Sequence, residues 1–232
     1  MSKPVCLVTG VGPGTGAAIV RRFAGDYTVA MLARSEVRLK ELSEELPDAH
    51  AFACDVTDKD ALDDVIRQVQ RGLGDPAVVV HNAVGGAFGD FLSIEEKVLR
   101  RNFEVNTMAL LHLGQALVPA MVEAGEGAII CTGNTSAYRG RARFSGFAPT
   151  KAAQRILSES MARHAGPLGV HVAYVAIDAV IDLEWTRKGN PDAPDDYFCK
   201  PVDIADHVWH VAHQPKSAWT FDTVVRPFGE VW

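Results

Sequence analysis

Short, continuous apolar runs alternate along this chain with longer segments whose apolar positions recur at helical spacing. Val5 to Val8 is a run of the first kind, and Ala17 to Ala24 is a segment of the second. Carried along the chain, the pattern predicts strands at about 4–9, 27–32, 49–53, 76–81, 126–132, 170–176 and 221–226. Between them it predicts helices at about 15–24, 36–46, 58–72, 94–124, 148–165 and 202–212. Strands that are apolar throughout are buried on both faces, and their alternation with helices implies a parallel sheet covered on both sides. Right-handed crossovers make such a sheet doubly wound, with its ligand crevice at the carboxyl ends of the strands. The fold class is therefore α/β: a single domain with a parallel sheet of about seven strands and helices on both faces. One stretch departs from the pattern. Asp182 to Lys200, with Pro191 and Pro194 inside it, reads as a loop, either a substrate lid or a plain connection.

Composition narrows the function classes. With 232 residues and 47% hydrophobic content, the chain can bury one ample core. A net charge of −6 and a pI near 5.7 leave no basic surface for nucleic acid or an anionic membrane. The expected partners are a small-molecule substrate and further copies of the chain. No run approaches the roughly 18 continuous apolar residues of a membrane span, and a strand begins almost at the N-terminus; both features favour a cytoplasmic protein. Cys6, Cys54, Cys131 and Cys199 show no C-x-x-C spacing and read as reduced, small apolar residues. His207, His210 and His213 read as packing or surface histidines, so no metal is expected.

Candidate chemistry begins at the first strand-to-helix junction, Thr9-Gly10-Val11-Gly12-Pro13-Gly14-Thr15-Gly16. A glycine-rich turn in this position brings backbone N–H groups and a helix N-terminus against a pyrophosphate, which points to a dinucleotide. Gly10, Gly14 and Gly16 supply conformational freedom, room for phosphate and close helix-to-strand packing, although the spacing is not the common G-x-G-x-x-G. At the end of the second strand stand Arg34 and Ser35, with no acid before Glu36. An acid there would bind a ribose 2′-hydroxyl, whereas an arginine accommodates a 2′-phosphate, so NADP(H) is favoured over NAD(H).

Four blocks together make the chain resemble the short-chain dehydrogenase/reductase family over essentially its whole length. They are Thr9-Gly10-x-x-x-Gly14-x-Gly16, Cys54-Asp55-Val56, His81-Asn82-Ala83-Val84-Gly85, and Asn106 followed at the family's distance by Lys151. The resemblance implies a Rossmann-type fold, hydride transfer with a nicotinamide cofactor, and homodimers or homotetramers formed through the two long helices. It also implies that Gly10, Gly14, Thr15 and Gly16 hold the cofactor phosphates, and that Asp55, beside Val56, accepts a hydrogen bond from the adenine. Asn82 and Ala83 would line the adenosine ribose. Lys151 would hold the nicotinamide ribose, and Asn106 would organise ribose and water with it.

The departures from that family are as informative. Its tyrosine, four residues before the lysine, is Phe147 here; its serine, about thirteen residues before that tyrosine, is Asn134. Phenylalanine exchanges no proton, while Asn134 can still donate an amide hydrogen bond to a substrate oxygen. Losing a positioned general acid costs about 10²–10⁴-fold in rate, so another group must supply the proton if the chain is active. Tyr138, Asp178 and a water linked to Lys151 are the candidates, and Thr135 and Ser136 adjoin the serine slot. After the sixth strand, Ala179 can approach the nicotinamide through its backbone, but Leu183 replaces a threonine that would bind the carboxamide. The reading is an NADP(H)-dependent oxidoreductase acting on a carbonyl/alcohol substrate through a non-standard proton donor. The rival is a cofactor-binding sensor or scaffold that has lost catalysis.

Overall fold

The computed structural model describes residues 3–229. Seven parallel strands form one sheet: β1 (Val5–Thr9), β2 (Thr28–Ala33), β3 (Ala49–Ala53), β4 (Pro76–His81), β5 (Gly127–Asn134), β6 (Val170–Ile177) and β9 (Asp222–Val225). Their spatial order is β3-β2-β1-β4-β5-β6-β9. The first three strands step outward in one direction, and β4 then crosses back to the other side of β1. The order thus reverses between β1 and β4, the place where an open α/β sheet leaves a crevice beyond its carboxyl ends.

Side-chain alternation along the strands builds two cores. Cys6 and Val8 face α1 (Thr15–Ala24), α2 (Glu36–Glu45) and α8 (Pro201–Ala212), joining Ile19, Phe23, Leu39, Ile204 and Val208 in one cluster. Val5 and Leu7 face α3 (Lys59–Gly72), α5 (Ala109–Ala124) and α6 (Ala148–Ala165), joining Leu62, Ile66, Leu110, Leu113 and Leu117 in the other. Every residue of β1 and of β6 is buried, as strands covered on both faces require. Asp58 begins α3 by accepting a hydrogen bond from Ala61 N, an N-cap that satisfies one of the free amides of the first turn.

Two local results differ from the sequence pattern. The helix predicted over 94–124 is α4 (Glu96–Phe103), one π-helical turn over Glu104–Met108, and then α5. Glu96–Ala124 is long and apolar enough to cross a membrane by length and composition alone. Here it lies along the sheet, burying Leu110, Leu113, Leu117 and Met121. The segment 182–200 is also more ordered than a loop. It contains α7 (Glu184–Gly189) and ends in β8 (Phe198–Cys199), which pairs in parallel with β7 (Val180–Ile181). Arg187 draws the segment together by pairing with Asp182 and Asp195 while stacking over the Phe198 ring.

Candidate active site

The crevice between β1 and β4 opens on the glycine turn. Gly10 has φ +71°, and a Cβ there would lie 2.5 Å from Ala83 Cα, so the turn can pass β4 only as glycine. A Cβ on Gly16 would lie 2.4 Å from Gly10 O, which holds the start of α1 tightly on β1. Asn82 Nδ2 donates to Gly10 O at 2.9 Å, and Asn82 Oδ1 accepts from Thr132 Oγ1 at 3.0 Å. Asn82 thus ties the turn to β5. Ala83 N donates to Thr9 Oγ1 at 3.4 Å.

These residues fit a dinucleotide phosphate. The N-terminus of α1 has no side-chain cap, since Gly14 precedes it, and Thr15 Oγ1 is buried with no hydrogen-bond partner. An orphaned hydroxyl among uncapped amides is a cradle for a phosphate oxygen. Leu183 packs against the turn, its Cδ2 lying 2.6 Å from where a Gly14 Cβ would be. Arg34 and Ser35 are exposed, and Arg34 has no ion-pair partner among the described residues. Asp55 accepts from Thr57 N at 3.1 Å and from Arg101 Nη2 at 2.8 Å. Burial would raise its pKa, but the Arg101 and Thr57 donors prevail and hold the carboxyl below the usual range. Val56 is buried beside it, and Ala179 is half-buried beyond the end of β6.

Around Lys151 the structure gathers Asn106, Phe147, Thr132 and Gln154. The π-turn is shaped by Asn106, whose Nδ2 donates to Gly85 O and to Thr150 Oγ1, both at 2.8 Å, while its Oδ1 accepts from Gly85 N at 3.0 Å. An inserted residue of this kind widens the helix locally, a device common at functional sites. Phe147, only 8% exposed, caps α6, and its carbonyl accepts from Thr150 Oγ1 at 2.8 Å. Lys151 is 2% exposed. Its Nζ donates to Gln154 Oε1 at 2.9 Å and Thr132 O at 3.4 Å, and lies 5.8 Å from the centre of the Phe147 ring. Two of its three N–H groups are thereby used and one is left. Burial pulls the ammonium down from 10.5 to about 8. His81, wholly buried with Nδ1 3.0 Å from Thr9 Oγ1, is pushed down to about 3 by burial and the nearby Lys151 charge, so it stays neutral.

The remaining candidates have other partners. Asn134 donates through Nδ2 to Ile177 O at 2.8 Å and accepts at Oδ1 from Ser136 N at 2.8 Å, so its side chain braces β5 against β6 and starts the next turn. Tyr138, 44% exposed, donates its hydroxyl to Asp222, which also pairs with Arg155 at 2.6 Å. Burial and the Asp222 carboxylate both raise the Tyr138 phenol above its ordinary value. Asp178 accepts from Thr135 Oγ1 and from Arg139 at 3.4 Å. Gln154 was not among the residues singled out from sequence; its position three residues after Lys151, on the same helix face, is the signal that could have found it.

The sequence matches the short chain dehydrogenase family model over residues 4–188. The chain belongs to that family. It is therefore an oxidoreductase of the short-chain type, a family that binds a nicotinamide cofactor. An uncharacterized oxidoreductase of Staphylococcus aureus is 25% identical over 230 residues, covering 98% of both chains. A metagenomic short-chain oxidoreductase solved with NADP superposes with a TM-score of 0.85 at 27% identity, covering 99% of both chains. The alcohol dehydrogenase of the archaeon Thermococcus sibiricus, solved with 5-hydroxy-NADP, gives a TM-score of 0.88 at 25% identity, covering 99% of both chains.

Proposed function

We propose that this short-chain dehydrogenase moves a hydride between NADP(H) and a carbonyl/alcohol substrate, with Lys151 replacing the family's tyrosine as the proton source. One observation carries the reading: the Lys151 ammonium is buried directly beneath Phe147, the position from which the tyrosine would act, and keeps one N–H unspent. Tyr138 and Asp178 are each committed to other partners. The cofactor, when bound, supplies the hydride that the carbonyl carbon accepts. Gly10, Gly14, Thr15 and Gly16 would hold its phosphates, and Asn82 and Ala83 its adenosine ribose. Arg34, with Ser35, would meet the 2′-phosphate, and this favours NADP(H) over NAD(H). Asn106 keeps the π-turn open beside Lys151.

In reduction, Lys151 passes a proton through a water on its free N–H to the substrate oxygen, leaving a neutral amine that regains its proton from solvent. In oxidation the amine receives the proton. A donor with a pKa near 8 is well matched to this exchange around neutrality. The NADP complexes of two structural neighbours support the cofactor assignment.

Steady-state oxidation of NADPH against a panel of aldehydes and ketones tests the reading. Turnover is expected, with kcat/KM for reduction falling as pH rises through about 8. Lys151→Met should lower that rate by about 10²-fold or more. NADPH binding without turnover of any carbonyl would overturn it in favour of the second reading, a cofactor sensor, which the absence of a hydroxyl at Phe147 supports.

A further inference from the structure

Phe147 belongs to a larger aromatic surface. Its ring centre lies 6.1 Å from Phe88 and 6.5 Å from Phe144, and Phe88 and Phe144 meet edge to face at 5.1 Å. Two chain segments are joined to build it. Gly89 N donates to Arg143 O at 2.9 Å, and Ser145 N donates to Gly89 O at 3.2 Å, which fixes the segment after β4 against the one before α6. Phe88 is nonetheless 67% exposed, so the three rings run outward from buried Phe147 to solvent. An exposed phenylalanine held by backbone pairing next to a reaction site is a surface on which an apolar body can pack.

Charge along the stretch that carries Phe144 and Phe147 is opposite in sign to that of the chain as a whole. Between Gly127 and Ser158 the sequence contains Arg139, Arg141, Arg143, Lys151 and Arg155 and no acidic residue. Arg139 is paired with Asp178, and Arg155 with Asp222 and Glu159. Arg141 and Arg143 are exposed and pair with no carboxylate among the described residues. The Arg141 guanidinium stands over the Phe144 ring, 5.9 Å from its centre. An unpaired guanidinium held at the rim of an aromatic surface is suited to a carboxylate borne by an aryl group.

We propose that the substrate carries an aromatic body, packed on Phe88, Phe144 and Phe147, and a carboxylate received by Arg141 with Arg143. This rests on the reading of the Lys151 end of α6 as the reaction site. The three rings lead toward that end, so the carbonyl would lie at the inner end of the aromatic body and the carboxylate at the outer rim.

Calorimetry on the full chain saturated with NADPH tests it, with 4-phenylbutanoate and its methyl ester as non-reducible probes. The carboxylate should bind at least about tenfold more tightly than the ester. Arg141→Gln combined with Arg143→Gln should remove that preference and leave ester binding as it was, whereas Phe88→Ala should weaken both probes. Equal affinity for the two probes, a preference that survives the double substitution, or no binding of either would overturn the proposal. Titrating NADPH alone into the chain tests the cofactor assignment, and the NADPH-oxidation rate of Lys151→Met tests the reaction site, so failure of either is distinguishable from failure of the carboxylate proposal.

Discussion

Lys151→Met is expected to stabilise the cofactor-free protein at neutral pH, although it should abolish proton donation. The difference between the ordinary 10.5 and about 8 corresponds to roughly 3 kcal/mol of unfavourable burial for the protonated form. Below pH 8 the lysine is charged in both states, and the folded state carries that whole cost. Between about 8 and 10.5 the folded chain has released the proton while the unfolded chain still holds it, so stability rises with pH across this window. Methionine fills similar space without charge but withdraws the donor from Gln154 Oε1 and, at the longer 3.4 Å, from Thr132 O, at a combined cost of about 1 kcal/mol that falls mainly on the shorter bond. The net gain at pH 7 is therefore about 2 kcal/mol, and it should shrink and then reverse above pH 10. Urea unfolding of both proteins from pH 6 to 10.5 measures this directly, because titrations common to the two cancel in the difference. The wild type should gain about 2 kcal/mol on the variant between pH 7 and 9.5. Parallel stability profiles would show that the buried amine is not strained by its charge, and would remove the basis for its acidity.

Other changes test other parts of the site. Arg34→Glu should weaken NADPH binding by about ten- to a hundredfold in calorimetry while leaving NADH little affected, since only the former offers a 2′-phosphate; equal losses would place the arginine elsewhere. Tyr138→Phe should change kcat by less than about threefold, because its hydroxyl is held by Asp222, and a drop of about 10²-fold would make it the donor instead. Asn106→Ala removes the partners of Gly85 N, Gly85 O and Thr150 Oγ1 and should lower stability by about 2–4 kcal/mol in urea unfolding. An unchanged midpoint would mean that the π-turn is held by something else.

The inner strands of the main sheet were legible in the sequence to within one or two residues, because a strand buried on both faces must be apolar throughout and its neighbours are helices with a different period, and the half-exposed edge strands β3 and β9 were found from their place in the same alternation. The glycine turn was legible for a related reason, since Gly10 and Gly16 approach backbone too closely for any side chain. The π-turn was not, because it depends on Asn106 reaching Gly85 and Thr150, which are distant in sequence. Order within 182–200 was hidden in the same way: Val180–Ile181 and Phe198–Cys199 are each too short to announce a strand and exist only as a pair. Asn134 shows the limit for side chains. Its type suits a substrate contact, but its position at the end of β5 places Ile177 O and Ser136 N within reach, and these partners engage it.

Phe147 stands where the fold of α6, the Lys151 site and the aromatic surface meet. The residue holds the start of α6 through its backbone, since the Phe147 carbonyl receives Thr150, and Thr150 in turn receives Asn106. What the residue lacks is a hydroxyl. A phenol in that place would ionise most readily beside the Lys151 ammonium, and its charge would keep the lysine protonated; an unsubstituted ring offers no such anion and adds to the desolvation that makes the ammonium more acidic. In the proposed mechanism the proton is supplied instead by the buried Lys151 ammonium, which burial brings into the range where an amine exchanges protons near neutrality. Phe147 also extends apolar surface out to Phe144 and Phe88, so the two proposals, proton source and substrate selection, meet at one residue. In the proposed mechanism the change from hydroxyl to bare ring redistributes roles within the short-chain dehydrogenase site, with the acidity assigned to Lys151 and the ring assigned to binding.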